Sequence, residues 1–181
     1  MSQKTSTPQG DPALKRSFKG HKDEVCRVAF NPNLKQAVSG SKDGTVMVWN
    51  FKSTMRPFRF VGHKGRVHDV KVAPSGSMIA SSGADGNIRL WNNTVEGHSQ
   101  IIKAYHESIR SIDLSHNGQL LLAACGMHLK VFNTNDNKQA FNLEHSHNNF
   151  IRSCKFSPDV RVLASASDDK TVKLWDFTSR Q

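Results

Sequence analysis

Ser39-Gly40-Ser41-Lys42-Asp43-Gly44-Thr45-Val46-Met47-Val48-Trp49-Asn50 returns as Ser81-Ser82-Gly83-Ala84-Asp85-Gly86-Asn87-Ile88-Arg89-Leu90-Trp91-Asn92, and again as Ser165-Ala166-Ser167-Asp168-Asp169-Lys170-Thr171-Val172-Lys173-Leu174-Trp175-Asp176. In every copy a Ser stands ten residues and an Asp six residues before the Trp. Further out, Gly20-His21, Gly62-His63, Tyr105-His106 and Ser146-His147 place their histidines 42, 43 and 41 residues apart. The aromatic positions Trp49, Trp91, Phe132 and Trp175 follow at steps of 42, 41 and 43. The chain is therefore built from one unit repeated four times.

Between these landmarks the residues have strand character. Val25-Cys26-Arg27-Val28-Ala29-Phe30 runs toward Asn31-Pro32, Gln36-Ala37-Val38-Ser39-Gly40 leads into Lys42-Asp43-Gly44, and Thr45-Val46-Met47-Val48-Trp49 closes the unit. β-Branched and aromatic residues punctuated by Asn, Pro, Asp and Gly mark three short strands. Pro57-Phe58-Arg59-Phe60, ahead of the next His, supplies a fourth, and no segment carries helical periodicity. A period of about 40–45 residues with Gly-His near its start and Trp-Asp at its end is that of WD-repeat propeller blades. The expected fold is all-β: a WD-repeat β-propeller of four four-stranded blades over 14–181, with repeats near 14–50, 56–92, 100–133 and 140–176. The leader at 1–13, rich in Ser, Thr, Pro and Gln, buries too little to order itself.

Resemblance to WD repeats implies a hydrogen-bond relay inside each unit, because a thin blade must satisfy its buried polar groups. The Trp indole donates to the Ser, the Ser meets the His, and the His meets the turn Asp. The sets are Trp49, Ser39, His21 and Asp43; Trp91, Ser81, His63 and Asp85; and Trp175, Ser165, His147 and Asp169. In the third unit Phe132 replaces Trp, Ala123 replaces Ser, the turn Cys125-Gly126-Met127-His128 has no Asp, and two residues are missing. That blade is expected to hold by apolar packing alone and to be the loosest.

His21, His63, His106 and His147 have the residue type of metal ligands, and Ser with His and Asp that of a hydrolase. Ring geometry separates histidines that recur once per repeat, and a relay inside a blade has neither substrate access nor oxyanion donors. Zinc spacing and a Gly-rich phosphate loop are both missing. The expectation is no enzyme, no cofactor and no metal.

Composition fits many short elements: hydrophobic residues make up 36% of the 181. The balance of 25 Lys and Arg against 15 Asp and Glu leaves a formal charge of +10, which favours acidic partners. Cys26, Cys125 and Cys154 lie in apolar runs without C-x-x-C spacing and read as buried, reduced thiols. Without a signal-type or membrane-length apolar run, the chain reads as soluble and cytoplasmic, with no membrane partner.

Four stretches narrow the resemblance: Asp11-Pro12 to Lys22, Val46 to Lys52, Arg59-Phe60-Val61-Gly62-His63-Lys64, and Ile151-Arg152-Ser153-Cys154-Lys155-Phe156-Ser157-Pro158-Asp159. Over 11–181 the chain resembles the centriolar WD-repeat proteins of the proteome-of-centriole family. The resemblance implies a structural scaffold of centrioles and basal bodies that binds and stabilises triplet microtubules, with tubulin among its partners, and supports cilium assembly. That family has seven repeats where this chain shows four. Four blades cut at a seven-blade wedge angle form an open arc, whose exposed apolar end faces predict association or misfolding. The alternative is a closed four-blade ring in which a strand around Leu14 to Phe18 completes the last blade.

Propellers dock partners on the face formed by the loops entering the innermost strands and by the Asp turn. Those positions read Glu24 and Cys26 with Lys42, Arg66 and His68 with Ala84, Ser108 and Arg110, and Phe150 and Arg152 with Asp168. Lys42, Arg66, His68, Arg110 and Arg152, with Phe150 as apolar anchor, form the candidate basic surface for an acidic protein. The same fold hosts adaptors and substrate receptors of ubiquitin-ligase or signalling complexes. Nucleic-acid binding is disfavoured, since the charge comes without stacking rows of aromatics.

Overall fold

Turn residues cut the chain into strands of four to six residues, and neighbouring strands fold back antiparallel on one another. The computed structural model describes residues 13–93 and 99–178. The expected leader, apart from Ala13, lies outside the described residues. The first sheet is β1 (Val25–Phe30), β2 (Gln36–Ser41), β3 (Thr45–Asn50) and β4 (Phe58–Val61), and the second β5 (Val67–Val72), β6 (Met78–Gly83), β7 (Asn87–Asn92) and β8 (Ser99–Lys103). The third is β9 (Ile109–Leu114), β10 (Leu120–Cys125), β11 (His128–Asn133) and β12 (Gln139–Leu143), and the fourth β13 (Ile151–Phe156), β14 (Val162–Ser167) and β15 (Val172–Asp176). Among the described residues there is no helix, and so none long and apolar enough to cross a membrane.

Each sheet takes three strands from one repeat and, in the first three sheets, its outer strand from the start of the next, and the sheets stack in chain order: β1 lies on β5, β5 on β9 and β9 on β13. The core therefore sits between blades. Val38, Val46 and Val48 of the first blade meet Val67, Val70 and Ile79 of the second. Ala80, Ile88 and Leu90 of the second meet Ile109, Ile112 and Leu121 of the third. Leu122, Leu129 and Val131 of the third meet Ile151, Cys154 and Leu163 of the fourth. Burying such aliphatic side chains contributes about 1.5–3 kcal/mol each, so these interfaces carry most of the stability. Carboxylates, one buried and one partly buried, pin the innermost strands across the gaps. Asp69 accepts the Ile112 N–H at 3.1 Å, and Asp113 accepts the Phe156 N–H at 3.0 Å.

The structure departs from the sequence expectation at three places. The fourth blade has three strands among the described residues rather than four. Residues 14–18 form no strand there, and Phe18 instead covers the first blade, 5.4 Å from the Trp49 ring. As the leading expectation has it, the described blades form an open arc rather than a four-blade closure, with Val25 and Val28 of the first blade and Val172 and Leu174 of the fourth exposed. Cys26 is only half-buried, whereas burial pushes the Cys125 thiol up to about 12. Finally, the third blade does not match the expectation of a loose one. Its Leu121, Leu122, Ala123, Ala124, Leu129 and Val131 are wholly buried, because like the second blade it has a blade on each side, and Ala and Phe132 replace polar groups with close packing.

Candidate functional site

Ser on the second strand, Trp on the third, and His from the segment before the first strand converge inside three blades. In the second blade the Trp91 Nε1–H donates to Ser81 Oγ at 2.8 Å, Ser81 Oγ lies 2.8 Å from His63 Nε2, and His63 Nδ1 lies 3.0 Å from Asp85 Oδ1. Asp85 only accepts, so Nδ1 carries the proton; Nε2 then accepts from the Ser81 hydroxyl, which in turn receives the indole N–H. The first blade repeats this with Trp49 to Ser39 at 2.8 Å, Ser39 to His21 at 2.7 Å, and His21 to Asp43 at 3.3 Å. The fourth repeats it with Trp175 to Ser165 at 2.9 Å, Ser165 to His147 at 2.7 Å, and His147 to Asp169 at 2.7 Å.

These are Ser-His-Asp arrays, the constellation of a nucleophilic triad. Their setting is different: Ser81 is wholly buried and its hydroxyl is already bonded to two partners. The arrangement bonds strands to one another inside a blade. Among the described residues, no group of three or more His, Cys, Asp or Glu is placed to hold a metal ion.

In the third blade, His106 does not take the relay position; its side chain is 74% exposed, 3.9 Å from Glu107. The residue four before the first strand is His63 in the second blade and Tyr105 in the third. Lys130 and Lys173 show the same equivalence: Lys130 Nζ donates to the Ala104 carbonyl and Lys173 Nζ to that of Ser146, each just ahead of Tyr105 and His147. The missing residue before β9 shifts the register by one. Tyr105 lies under the Lys130 ammonium, 5.3 Å from its ring centroid.

The relay responds to acid. Burial holds His63 below the ordinary imidazole value, while Asp85 pulls the other way. Burial alone would raise the Asp85 carboxyl, but bonds from the Lys64 N–H and His63 carry it down to about 2. Over the shifted ranges the unfolded chain binds more protons than the folded chain, so stability rises with pH there and is lost as pH falls. The His63 contribution fades as pH drops below 6.5, and that of Asp85 between 3.8 and about 2. The thermal midpoint should be level around neutral pH, decline in weak acid and drop steeply in strong acid. A midpoint that stays constant until the carboxylates protonate would remove His63 from the account.

At one end of the arc the loops entering the innermost strands lie side by side. Arg66, His68, Arg110 and Arg152 line one open cavity of about 350 Å³ with Cys26 and Arg27. Phe150 borders the adjoining hollow with Ala84, Glu107 and Ser108, and the Arg110 guanidinium lies 5.6 Å from the Phe150 ring centroid. Lys42 does not line the cavity; its Nζ is 3.6 Å from Glu24. Arg27 was not singled out in the sequence. A β-bulge between Val25 and Arg27 accompanies its place beside Cys26, and no local motif announces such a bulge.

Much of the positive charge on this face is already paired. Arg66 Nη2 lies 3.5 Å from Glu24 and its Nε 3.1 Å from Cys26 Sγ, while Arg152 forks onto Asp168 from Nε at 2.7 Å. Arg152 holds the Asp168 carboxyl below its usual range. Arg110 makes no ion pair among the described residues. Burial lowers the His68 imidazole, and the Arg110 and Arg66 charges lower it further, as expected of a net positive field.

Stacked antiparallel blades, three of them knit by a Trp-Ser-His-Asp relay, define a propeller segment built of WD repeats. The chain belongs to the family described as WD domain, G-beta repeat, matched over residues 12–50, 55–92, 93–133 and 138–176. It is similar to the POC1 centriolar protein homolog A of Xenopus tropicalis, at 58% identity over 50 residues, which is 28% of this chain and 11% of that protein. The Danio rerio POC1 centriolar protein homolog A is 48% identical over 54 residues, 30% of this chain and 13% of that protein. The Nuclear distribution protein nudF of Aspergillus flavus aligns over 92% of this chain and 28% of its own length, at 27% identity. The chain thus spans only a minor part of the relatives it matches.

Proposed function

We propose that this chain is a non-enzymatic scaffold segment of centrioles and basal bodies, which docks on the acidic surface of microtubules through its arginine-lined face and supports cilium assembly. The observation that carries the reading is the convergence of Arg66, His68, Arg110 and Arg152 on one cavity with Phe150 beside it. Arginine and aromatic side chains are the residue types that dominate binding hot spots. The similarity of a 50-residue stretch to a centriolar protein supports the location. The longer alignment with a nuclear distribution protein supports a second reading, an adaptor for another complex such as a ubiquitin ligase or signalling assembly.

Arg66→Glu/Arg110→Glu/Arg152→Glu should abolish co-sedimentation with microtubules. Reversing Arg66 and Arg152 also sets like charges beside Glu24 and Asp168, so Arg110→Glu alone is the cleaner probe. It should weaken binding at least about tenfold, on the order of 1.4 kcal/mol. Unchanged co-sedimentation of both variants would remove the microtubule reading. Co-purification with ligase subunits, together with a tagged chain absent from centrioles, would favour the adaptor.

A further inference from the structure

The innermost strand of every blade carries a β-bulge at the same place. Register with the second strand passes from Val25 to Arg27, from Val67 to Asp69, from Ile109 to Ser111 and from Ile151 to Ser153, skipping Cys26, His68, Arg110 and Arg152. A bulge leaves one residue out of the ladder and re-aims its side chain, and all four skipped residues line the one open cavity. The loops beside them also correspond: the Lys42 N–H donates to the Glu24 carbonyl, the Ala84 N–H to that of Arg66 and the Asp168 N–H to that of Phe150. Asp168 therefore holds in the fourth blade the place that Ala84 holds in the second. Asp168 receives the fork of Arg152, the skipped residue of its own blade. In the second blade the skipped residue is His68, and exposed Ala84 offers it no carboxylate. Arg110, without an ion pair among the described residues, shares a hollow with Ala84 and Phe150. The second and third blades each have a neighbour on both sides, so this arrangement is set by the residues and not by the extent of the arc.

We propose that an acidic protein partner inserts one carboxylate side chain above Ala84, onto His68 and Arg110, as Asp168 sits on Arg152, and that His68 takes up a proton when it binds. The proposal rests on reading the arginine-lined face as the dock for an acidic protein, and it names the point at which that protein is held. There the carboxylate accepts from the Arg110 guanidinium and the His68 imidazolium, both charge-assisted bonds, while Phe150 borders the same hollow and covers its methylenes. Burial, then the charges of Arg110, Arg66 and His63, disfavour protonation of His68 in the free chain. Cys26 and Arg27 of β1 and Arg152 of β13 complete the cavity, and none of the residues lining it is acidic. The nearby carboxylates are engaged elsewhere: Glu24 with Arg66 and Lys42, Asp168 with Arg152, and Asp69 with Arg27, Lys71 and the Ile112 N–H. An incoming carboxylate thus supplies the countercharge that His68 lacks, and acid strengthens binding.

The test titrates a fluorescent oligoglutamate peptide with the 181-residue chain, between about pH 7.5 and 5.5, where imidazoles titrate and glutamates stay ionised. Physiological salt screens the distant histidines. Wild-type affinity should rise about fivefold toward the acid end, and His68→Gln should lose that rise. Ala84→Asp supplies the carboxylate from within the chain, so its affinity for the peptide should fall at least about tenfold. Its His68 imidazole, followed by NMR, should titrate above the wild-type value. Ala84 is exposed, and equal unfolding midpoints check that the variant is folded. If it is not, Arg110→Gln carries the same test and should lose binding to the same degree. The proposal is overturned if the wild type does not bind the peptide, if folded Ala84→Asp or Arg110→Gln binds it as the wild type does, or if His68→Gln keeps the acid enhancement. Microtubule co-sedimentation that survives Ala84→Asp and Arg110→Gln would overturn this clamp and leave the wider reading standing. Peptide binding with the expected dependences but no co-sedimentation would keep the clamp and assign it to another acidic protein.

Discussion

Ser81→Ala should cost the folded chain about 2–4 kcal/mol, although it removes a single oxygen. That oxygen bridges the Trp91 indole N–H and the His63 ring nitrogen, and all three residues are buried. Removing it leaves one N–H donor and one ring acceptor desolvated without partners, each costing about 1–3 kcal/mol. An exposed control such as Ser75→Ala should stay within about 0.5 kcal/mol. Urea unfolding followed by tryptophan fluorescence reads both. The partner substitution Trp91→Phe removes the orphaned donor, so the double variant Ser81→Ala/Trp91→Phe should lose less than the two single losses added together. The third blade is a natural version of that double variant, with Ala123 and Phe132 both buried and no indole N–H to satisfy. A loss below about 1 kcal/mol for Ser81→Ala would mean that another group satisfies the indole and the imidazole.

The same contrast marks what a sequence can reveal here. The relay residues were legible because hydrogen bonding demands particular residue types at fixed spacing, and Trp91, Ser81, His63 and Asp85 recur in step with the other sets. The strand boundaries followed from the Asp, Gly and Pro punctuation and shifted by only a residue or so, as at Phe58–Val61. Tyr105 was misjudged because His106 matches the periodic residue type, while register is set by the distance to β9, which a single missing residue changes. The tightness of the third blade was hidden for a related reason. Loss of polar partners reads as weakness along one strand, but packing comes from the blades on either side.

The docking face was legible as a set of positions but not as an electrostatic surface. Arg66, Arg110 and Arg152 recur at equivalent places, and the fold brings them to one cavity. Their pairing depends on neighbours in other blades or other strands: Glu24 reaches Arg66 across the first junction, and Asp168 reaches Arg152 from the Asp turn. Counting formal charge along the chain therefore overstates the free cation content of this face, where Arg110 alone among those three arginines makes no ion pair within the described residues. Specificity for an acidic partner then rests on Arg110, Phe150 and the field sensed by His68 more than on net charge.

Gly86→Ala should be the most damaging single-methyl change in the chain, at about 3 kcal/mol or more, for a reason that glycine's backbone freedom does not cover. Gly86 sits in the Asp turn at φ 70°, and a left-handed conformation costs an ordinary residue about 1–2 kcal/mol. Lys170 occupies the corresponding turn of the fourth blade at the same φ of 70°, so that strain alone is tolerated. The difference is the neighbour. A Cβ on Gly86 would run into the Tyr105 carbonyl oxygen of the next blade, far inside contact distance, and the turn would have to move. Moving it also breaks the bond from the Tyr105 N–H to the Gly86 carbonyl at 3.1 Å, one of the ties across that junction. Gly44, at φ 78° but 3.0 Å from the His63 carbonyl, should lose less on substitution by Ala, and Lys170→Gly should change stability by under about 1 kcal/mol. Urea midpoints of the three variants test the order. If Gly86→Ala and Gly44→Ala cost the same, backbone strain rather than the blade-to-blade carbonyl sets the requirement for glycine.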